Sequence, residues 1–349
     1  MRKIVLLFLV LFSTSYSIVL AQSEQKVLIE VFTGSWSGYS PDGFVILENV
    51  LASDTNIYAV NLHYGDAMES SSTSQIESFY SPAYPQALIN RDSTPISRGS
   101  WLVYATNKLS ETPPLDVYFD SVKFNLSTRE LEIHMRTRFT ASVTGDLRMN
   151  VIIVEDSVTG SGTGYDQVNY DNNTVGHPYQ GAGNPIVGMP HRYVARDYLG
   201  DEWGISGIIP SSVSSGSEYT HVFNYTIPAS YDYEKISLIG FVSYYGSGIT
   251  GREILNVIRW PEIIPSSTVS IADNNLPQYT VYPNPSQGDL HIVAEERTNI
   301  IIVNSLSQEV YIGTLNEGHN DLNLSLPQGL YFANFSNENN NWIQKIVIE

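Results

Sequence analysis

Between Val27 and Leu109, apolar runs of strand length alternate with stretches whose apolar residues recur at helical spacing. A strand-helix-strand-helix-strand-helix order calls for a sheet with parallel neighbours and helices packed on its faces. Val27 to Phe32 reads as the first strand, and Ser40-Pro41-Asp42 as a helix start, with serine as N-cap, proline in the first turn and an acid behind it. Phe44, Leu47 and Leu51 then share one helical face. Ile57 to Leu62 predicts a second strand, Ser72 to Phe79 a helix, and Gln86 to Arg91 a third strand after Tyr84-Pro85. A helix over Arg98 to Leu109, with Trp101, Leu102, Ala105 and Leu109 on one side, closes the region.

The first strand and helix are joined by Thr33-Gly34-Ser35-Trp36-Ser37-Gly38-Tyr39. With its flanks this loop resembles a thioredoxin active site from which both sulfurs are missing, Ser37 and Ser40 standing at the two cysteine positions of Trp-Cys-Gly-x-Cys. In the redox-active arrangement the helix N-terminus lowers the pKa of the first thiol. A hydroxyl is far less acidic, forms no disulfide and takes no part in thiolate exchange. The chain contains no cysteine anywhere, so disulfides, zinc-thiolate sites and iron-sulfur clusters are excluded, and no metal or cofactor is expected. The plain reading of Trp36, Ser37 and Ser40 is that they cap a helix and fill a groove. The functional reading is that Trp36, Tyr39, Tyr84 and Pro85 bind an extended peptide without reacting with it, as some degenerate thioredoxin domains do.

The segment Val27 to Trp36, then Pro41-Asp42-Gly43, then Tyr84-Pro85 with Ile89-Asn90-Arg91, resembles the outer membrane protein 28 family of Bacteroidetes. The resemblance implies a thioredoxin-like domain followed by a β-rich domain, with Pro85 as a cis-proline facing the loop. The departure at Ser37 and Ser40 removes the basis for reductase, isomerase or peroxidase activity. Met189 to Arg196 resembles a His-x-x-Val-x-Arg stretch of that family's β-rich half, to which no chemistry is assigned.

Met1-Arg2-Lys3, the apolar run Ile4 to Phe12 and Val19-Leu20-Ala21 fit a signal peptide over 1–21, cleaved before Gln22. No cysteine follows the cut to carry a lipid anchor, and no later apolar run approaches the roughly 20 residues needed to cross a bilayer. Loss of Arg2 and Lys3, with no acid before Gln22, takes the net charge from -18 to -20. Such acidity disfavours nucleic acid and anionic lipid as partners.

Three regions follow the signal peptide: a thioredoxin-like domain over 22–112, an antiparallel β-sandwich over 113–265 and, after a linker at 266–277, a small Ig-like β-sandwich over 278–349. In the second, Leu131, Ile133 and Met135 alternate with charged residues and Leu147, Met149, Val151 and Ile153 recur at the same period of two. A long insertion, about 160 to 204, is rich in Gly, Asn, Asp and Tyr and reads as a surface binding loop. In the third, Tyr282-Pro283-Asn284-Pro285, then Gly329-Leu330-Tyr331 and a final Lys345-Ile346-Val347-Ile348 resemble the type A sorting domain of type IX secretion. That resemblance implies recognition by the outer-membrane translocon, cleavage by a sortase-like protease between Ser266 and Gln278, and release or attachment at the cell surface.

Other catalytic patterns are weak. The seven histidines form no His-Glu-x-x-His pair. Gly34-Ser35-Trp36-Ser37-Gly38 has tryptophan where a nucleophile elbow needs serine, and Gly160-Ser161-Gly162-Thr163-Gly164 lacks dinucleotide-binding spacing. Asp166, Asp171 and Asp197 have no EF-hand order. The leading reading is a non-enzymatic secreted or cell-surface protein with a peptide, protein or glycan ligand. The alternatives are a surface adhesin for glycan or host protein, and a hydrolase built on His177, His191 and acids of the insertion.

Overall fold

A computed structural model describes residues 23–265, 280–294, 296–304, 308–337 and 341–349. The expected signal peptide, the linker and its cleavage site lie outside the described residues. The chain divides into two compact units, the first ending at Ser267 and the second beginning at Thr268.

In the first unit, β1 (Val27–Thr33), α1 (Ser40–Leu51), β2 (Ile57–His63), α2 (Ser71–Tyr80), β3 (Gln86–Ile89), β4 (Ile96–Ser97) and α3 (Trp101–Leu109) follow in the expected order, with β4 as an addition. Strands β1 and β2 run parallel, and β3 lies antiparallel to β1 on its other side. Alternate residues of β1 supply two cores. Val27, Ile29 and Val31 meet Leu47 and Val50 of α1 and Trp101 and Ala105 of α3, while Leu28 and Phe32 face Ile76 and Tyr80 of α2. Leu102, expected on the inner side of α3, is exposed, because one residue past Trp101 turns about 100° around the axis. Ser40 is the first residue of α1 rather than its cap. Tyr39 holds the cap position without a side-chain bond, and the Ser40 hydroxyl accepts from Thr33 Oγ1 at 2.9 Å.

The strands after α3 are β5 (Leu115–Asn125), β6 (Glu130–Phe139), β7 (Val143–Thr144), β8 (Leu147–Glu155), β9 (Val194–Tyr198), β10 (Ser212–Val213), β11 (Glu218–Thr226), β12 (Ile236–Tyr244) and β13 (Ile254–Trp260). A three-stranded antiparallel sheet, β11-β6-β5, covers one face of β8, β12 and β13. Leu131, Ile133 and Met135 meet Leu147, Met149, Val151 and Ile153 there. The larger sheet has eight strands in the order β13-β12-β8-β9-β2-β1-β3-β4, so strands from before and after residue 112 share it. The joint is β9, which lies inside the stretch expected to be loop. It pairs antiparallel with β8 and touches β2 in parallel at Asn61 and Val194. A register shift opposite Ile153 and Val154 leaves Arg196 without a ladder partner, which breaks the period of two that would have marked this strand.

A buried ion pair spans the joint. Arg91 Nε and Nη2 each donate to Glu30 at 2.6 Å, Tyr198 Oη donates to Glu30 Oε1 at 2.9 Å, and Arg91 Nη1 donates to the Glu202 carbonyl at 3.2 Å. Removing one partner of such a pair strands a buried charge. Arg91→Ala is therefore expected to lower unfolding stability by about 3–5 kcal/mol, and Glu30→Met with Arg91→Met to recover most of it, as read from urea midpoints. Equal midpoints for wild type and Arg91→Ala would remove the pair from any structural role.

The second unit contains β14 (Thr280–Tyr282), β15 (Asp289–Ala294), β16 (Thr298–Asn304), β17 (Glu309–Leu315), β18 (Gly318–Asn323), β19 (Gly329–Ser336) and β20 (Asn341–Ile348). They form antiparallel sheets in the orders β14-β15-β18 and β17-β16-β19-β20 around one core. Tyr331, Ala333 and Phe335 of β19 point into it, as their alternation requires.

Candidate functional site

Past β1 the chain makes two successive turns, Ser37 N–H donating to Gly34 O at 2.9 Å and Ser40 N–H to Ser37 O at 3.1 Å, and enters α1. The Tyr84–Pro85 peptide is cis. Its ring lies on the first turn of α1, where a Cβ added to Gly43 would come within 2.8 Å of Pro85 Cγ. Ser37, Ser40 and Pro85 therefore share one corner of the fold.

That corner is covered by the insertion. Val168 N–H donates to Ser35 O at 2.7 Å, Tyr170 N–H to Gly38 O at 3.0 Å, Gln167 Nε2 to Ser37 O at 2.9 Å and Ser35 Oγ to Thr163 O at 3.1 Å. The Tyr170 ring lies over Gly38 so closely that a Cβ there would be 2.5 Å from it. Both serines are buried as a result. These backbone bonds tie the insertion to the loop along Ser35 to Gly38, leaving the hydroxyls at 37 and 40 without open access.

A small polar cluster supports the contact. His63 Nδ1 donates to Asp66 Oδ2 at 2.7 Å, and Asp66 also accepts from the backbone N–H groups of Ser35 and Met68. Burial raises the Asp66 pKa, but His63 and these two donors outweigh it and hold the carboxyl below its ordinary value. His191, only 1 % exposed, donates from Nε2 to Tyr165 O at 2.7 Å, and its ring stands edge-on to His63 at 5.2 Å. Its Nδ1 has no partner. Burial first, and His63 second, push the His191 pKa down to about 4.

Around the covered serines stands a rim of aromatic rings. Trp36 is 44 % exposed, Tyr39 54 % and Tyr170 59 %. Trp36 Nε1 donates to Tyr64 O at 2.7 Å and its ring meets Tyr84 at 4.9 Å, with Tyr64 stacked on Tyr84 at 6.5 Å. Tyr39 meets Tyr170 edge-on at 5.1 Å, and the Arg98 guanidinium lies over Tyr39 while pairing with Asp42. Burial, then the hydrogen bond to Glu77, raises the Tyr84 pKa. Trp36 and Tyr84 are thus in direct contact, whereas Tyr39 meets Tyr170 and Arg98, and Pro85 packs on the first turn of α1 at Gly43. Tyr64 and Tyr170 complete the rim without having been singled out in the sequence; the side-chain-free position at Gly38 was the one local hint of a ring lying above it.

The two histidines weighed for hydrolysis do not converge. His177 Nε2 faces Asp42 Oδ1 at 3.4 Å and Asp171 Oδ2 at 3.9 Å, whereas His191 belongs to the His63 cluster. Asp166 accepts from the Gly162 and Gly188 N–H groups, Asp171 from Thr174 Oγ1 and Asp197 from Tyr198 N–H. Among the described residues no three His, Asp or Glu side chains are placed to hold a metal ion.

In the second unit Asn284 clamps the final strand, its Nδ2 donating to Lys345 O at 2.7 Å and its Oδ1 accepting from Val347 N–H at 2.9 Å. The Tyr282–Pro283 and Asn284–Pro285 peptides are both cis. Gly329 pairs with Ile348, and Tyr331 Oη donates to Pro327 O. The prolines and glycine of this tail are therefore parts of a single structural joint around β20, with Lys345 exposed upon it.

Residues 73–260, over half of the chain, match the family model of outer membrane protein Omp28. The chain belongs to the Omp28 family. Residues 280–349 match the secretion system C-terminal sorting domain, so this Omp28-family chain is a secreted or outer-membrane-associated surface protein. HBP35 of Porphyromonas gingivalis is similar in fold at 17% identity, covering 93% of this chain and 99% of that one, with a TM-score of 0.52. A structure from Agrobacterium tumefaciens aligns at 14% identity over 68% of this chain and 95% of its own, TM-score 0.41. A domain of the outer membrane lipoprotein Omp28 from P. gingivalis aligns at 11% identity over 44% and 92%, TM-score 0.25. No curated protein matches. No helix of the described residues is long and apolar enough to cross a membrane.

Two outcomes follow from the geometry. His191 has an ordinary pKa of 6.5 when unfolded and about 4 when folded. The unfolded chain binds the extra proton between those values, so its contribution is complete above pH 6.5 and falls by about 3 kcal/mol as the pH drops through 4. Urea midpoints across this window should show the loss, and His191→Gln should flatten it. In Ser37→Cys with Ser40→Cys, kept reduced, the thiols should react with Ellman's reagent at least roughly tenfold more slowly in the native chain than in urea. Equal rates would mean that the insertion does not cover the site.

Proposed function

We propose that this is a non-enzymatic secreted or cell-surface protein in which a redox-dead thioredoxin-like domain (22–112) and a β-sandwich (113–265) act together as a binding module. The order β2-β1-β3-β4, with one parallel and two antiparallel contacts, supports the thioredoxin-like reading. The observation that carries the function is the pairing of two buried alcohols, Ser37 and Ser40, with a cover of backbone hydrogen bonds from the insertion. A serine hydroxyl at a helix start forms no thiolate and no mixed disulfide, and a covered one meets no substrate.

What is left open is the rim. The exposed Trp36 and Tyr39, with the half-buried Tyr84 and the buried Pro85, suit an extended peptide or protein segment, since rigid aromatic rings supply contact area at small entropic cost. The exposed Tyr170 favours a second reading, adhesion to a glycan, because an open aromatic face stacks on sugar rings as readily as on apolar side chains. The tail (278–349) acts as the address, with the type IX translocon and a sortase-like protease as its partners and the stretch between Ser266 and Gln278 as the cleavage region.

Insulin reduction with dithiothreitol tests the non-redox assignment: turnover above a thiol-free control would falsify it. Binding is read from capture of the labelled chain on arrays of extended peptides and of glycans. Trp36→Ala or Tyr39→Ala is expected to weaken capture by at least about tenfold while leaving the urea midpoint unchanged. Capture of neither class by the folded chain, or capture indifferent to both substitutions, refutes the rim as a binding surface.

A further inference from the structure

The aromatic rim has two ends of different charge. At one end the Arg98 guanidinium carbon lies 5.7 Å from the centre of the Tyr39 ring, and Arg98 pairs with Asp42. That end is already filled: a cation rests on an aromatic face, and a carboxylate balances it. At the other end Trp36 meets Tyr84 at 4.9 Å and 66°, while Tyr64 and Tyr84 stand 17° from parallel with centres 6.5 Å apart. Three rings therefore meet in one corner, where Trp36 and Tyr64 are exposed.

The corner is held in place before any ligand arrives. Trp36 Nε1 donates to Tyr64 O at 2.7 Å, and the indole rests where Gly34 and Gly65 carry no side chain. A Cβ added at Gly34 would come within 2.6 Å of Trp36 Nε1, and one at Gly65 within 3.0 Å.

Two carboxylates flank the rings. Glu77 Oε1 accepts from Tyr84 Oη at 2.9 Å, and Glu69 Oε2 accepts from Gly65 N–H at 2.7 Å. Among the described residues the partners of these two carboxylates are Gly65, Ser74 and Tyr84, none of them a cation. Burial first, then the bond and charge of Glu77, then Tyr64 and Glu69, all raise the Tyr84 pKa, and no cation acts against them. The face of an aromatic ring is itself negative, so rings and carboxylates attract the same kind of group. A sugar hydroxyl or an aliphatic side chain would gain ring contact and leave both charges unmatched.

We propose that the corner of Trp36, Tyr64 and Tyr84 receives a lysine or arginine side chain, so that the ligand of the rim is an extended basic peptide segment. This rests on the rim being the binding surface proposed above, and names what that surface selects.

Pools of decapeptides with Lys, Arg, norleucine or Glu fixed at the centre and the other positions randomised test it, read by capture on the immobilised full mature chain. Norleucine keeps the lysine stem and drops the ammonium. The Lys and Arg pools are expected to bind at least about tenfold more tightly than the norleucine pool, with the Glu pool weakest. Their advantage should shrink as salt rises from about 50 to about 500 mM, since Glu69 is open to screening. Glu69→Gln with Glu77→Gln should cut affinity for the Lys pool by about tenfold and leave the norleucine pool unchanged. Glu234→Gln with Glu262→Gln, which removes two exposed acids outside the rim, should change neither pool. The comparison of pools on the unmodified chain decides even if a double variant fails to fold. Equal capture of the Lys and norleucine pools, or equal losses in the two double variants, overturns the basic ligand; the rim itself still stands if Trp36→Ala weakens that capture. Capture of no pool overturns both.

Discussion

The opposite charges of Glu30 and Arg91, sealed from water, hold this fold in register. Taking either ion out of water alone is prohibitive, so each is kept only while the other stays in place with its hydrogen bonds satisfied. The geometry meets that demand with two bonds between them, a third from Tyr198, a fourth to the Glu202 carbonyl, and the rings of Tyr198, Trp203 and Phe241 around the guanidinium. Those partners come from both sides of residue 112. Asn90, beside Arg91, adds a parallel seam: its side chain accepts from Leu28 N–H and its carbonyl from Ile254 N–H, stitching β1 to β13. Lys108 of α3 repeats the theme with Glu253.

Because the two halves are locked in this way, the insertion is held over the start of α1. Its strand β9 sits in the shared sheet, and the residues before it fold back to bond with Ser35, Ser37 and Gly38. The corner of the fold that holds Ser37, Ser40 and Pro85 has thereby become an interior contact. Serine suits such a place, being small and satisfied by neighbouring polar groups as Ser40 is by Thr33.

Much of the architecture was legible in the residues. The strand and helix order to Leu109, the alternation of Leu131, Ile133 and Met135, and the inward Tyr331, Ala333 and Phe335 follow from periodicity, because burying one face of an element imposes its own spacing. Strand β9 was not legible, since the shift at Arg196 breaks its alternation and glycine and asparagine surround it. The role of Ser40 was misread by one position, because a Ser-Pro-Asp start looks the same whether serine caps the helix or begins it. Tyr64 and Gln167 carried no signal, and Tyr170 only the bare Gly38 beneath it, as their importance lies in which distant residues they meet.

The sequence by itself determined that no thiol chemistry takes place here, that two strand-rich regions follow an α/β region, and that the tail carries a sorting domain. The first two rest on residue identity and local spacing, the third on a resemblance of motifs that the family match over residues 280–349 bears out, and none needs a third dimension. Only the tertiary structure decided that the first two regions share a sheet and that the serines lie beneath the insertion. Those features depend on contacts between residues up to a hundred or more positions apart, and the choice among many possible long-range pairings is made by which one buries the charges and satisfies the backbone at once.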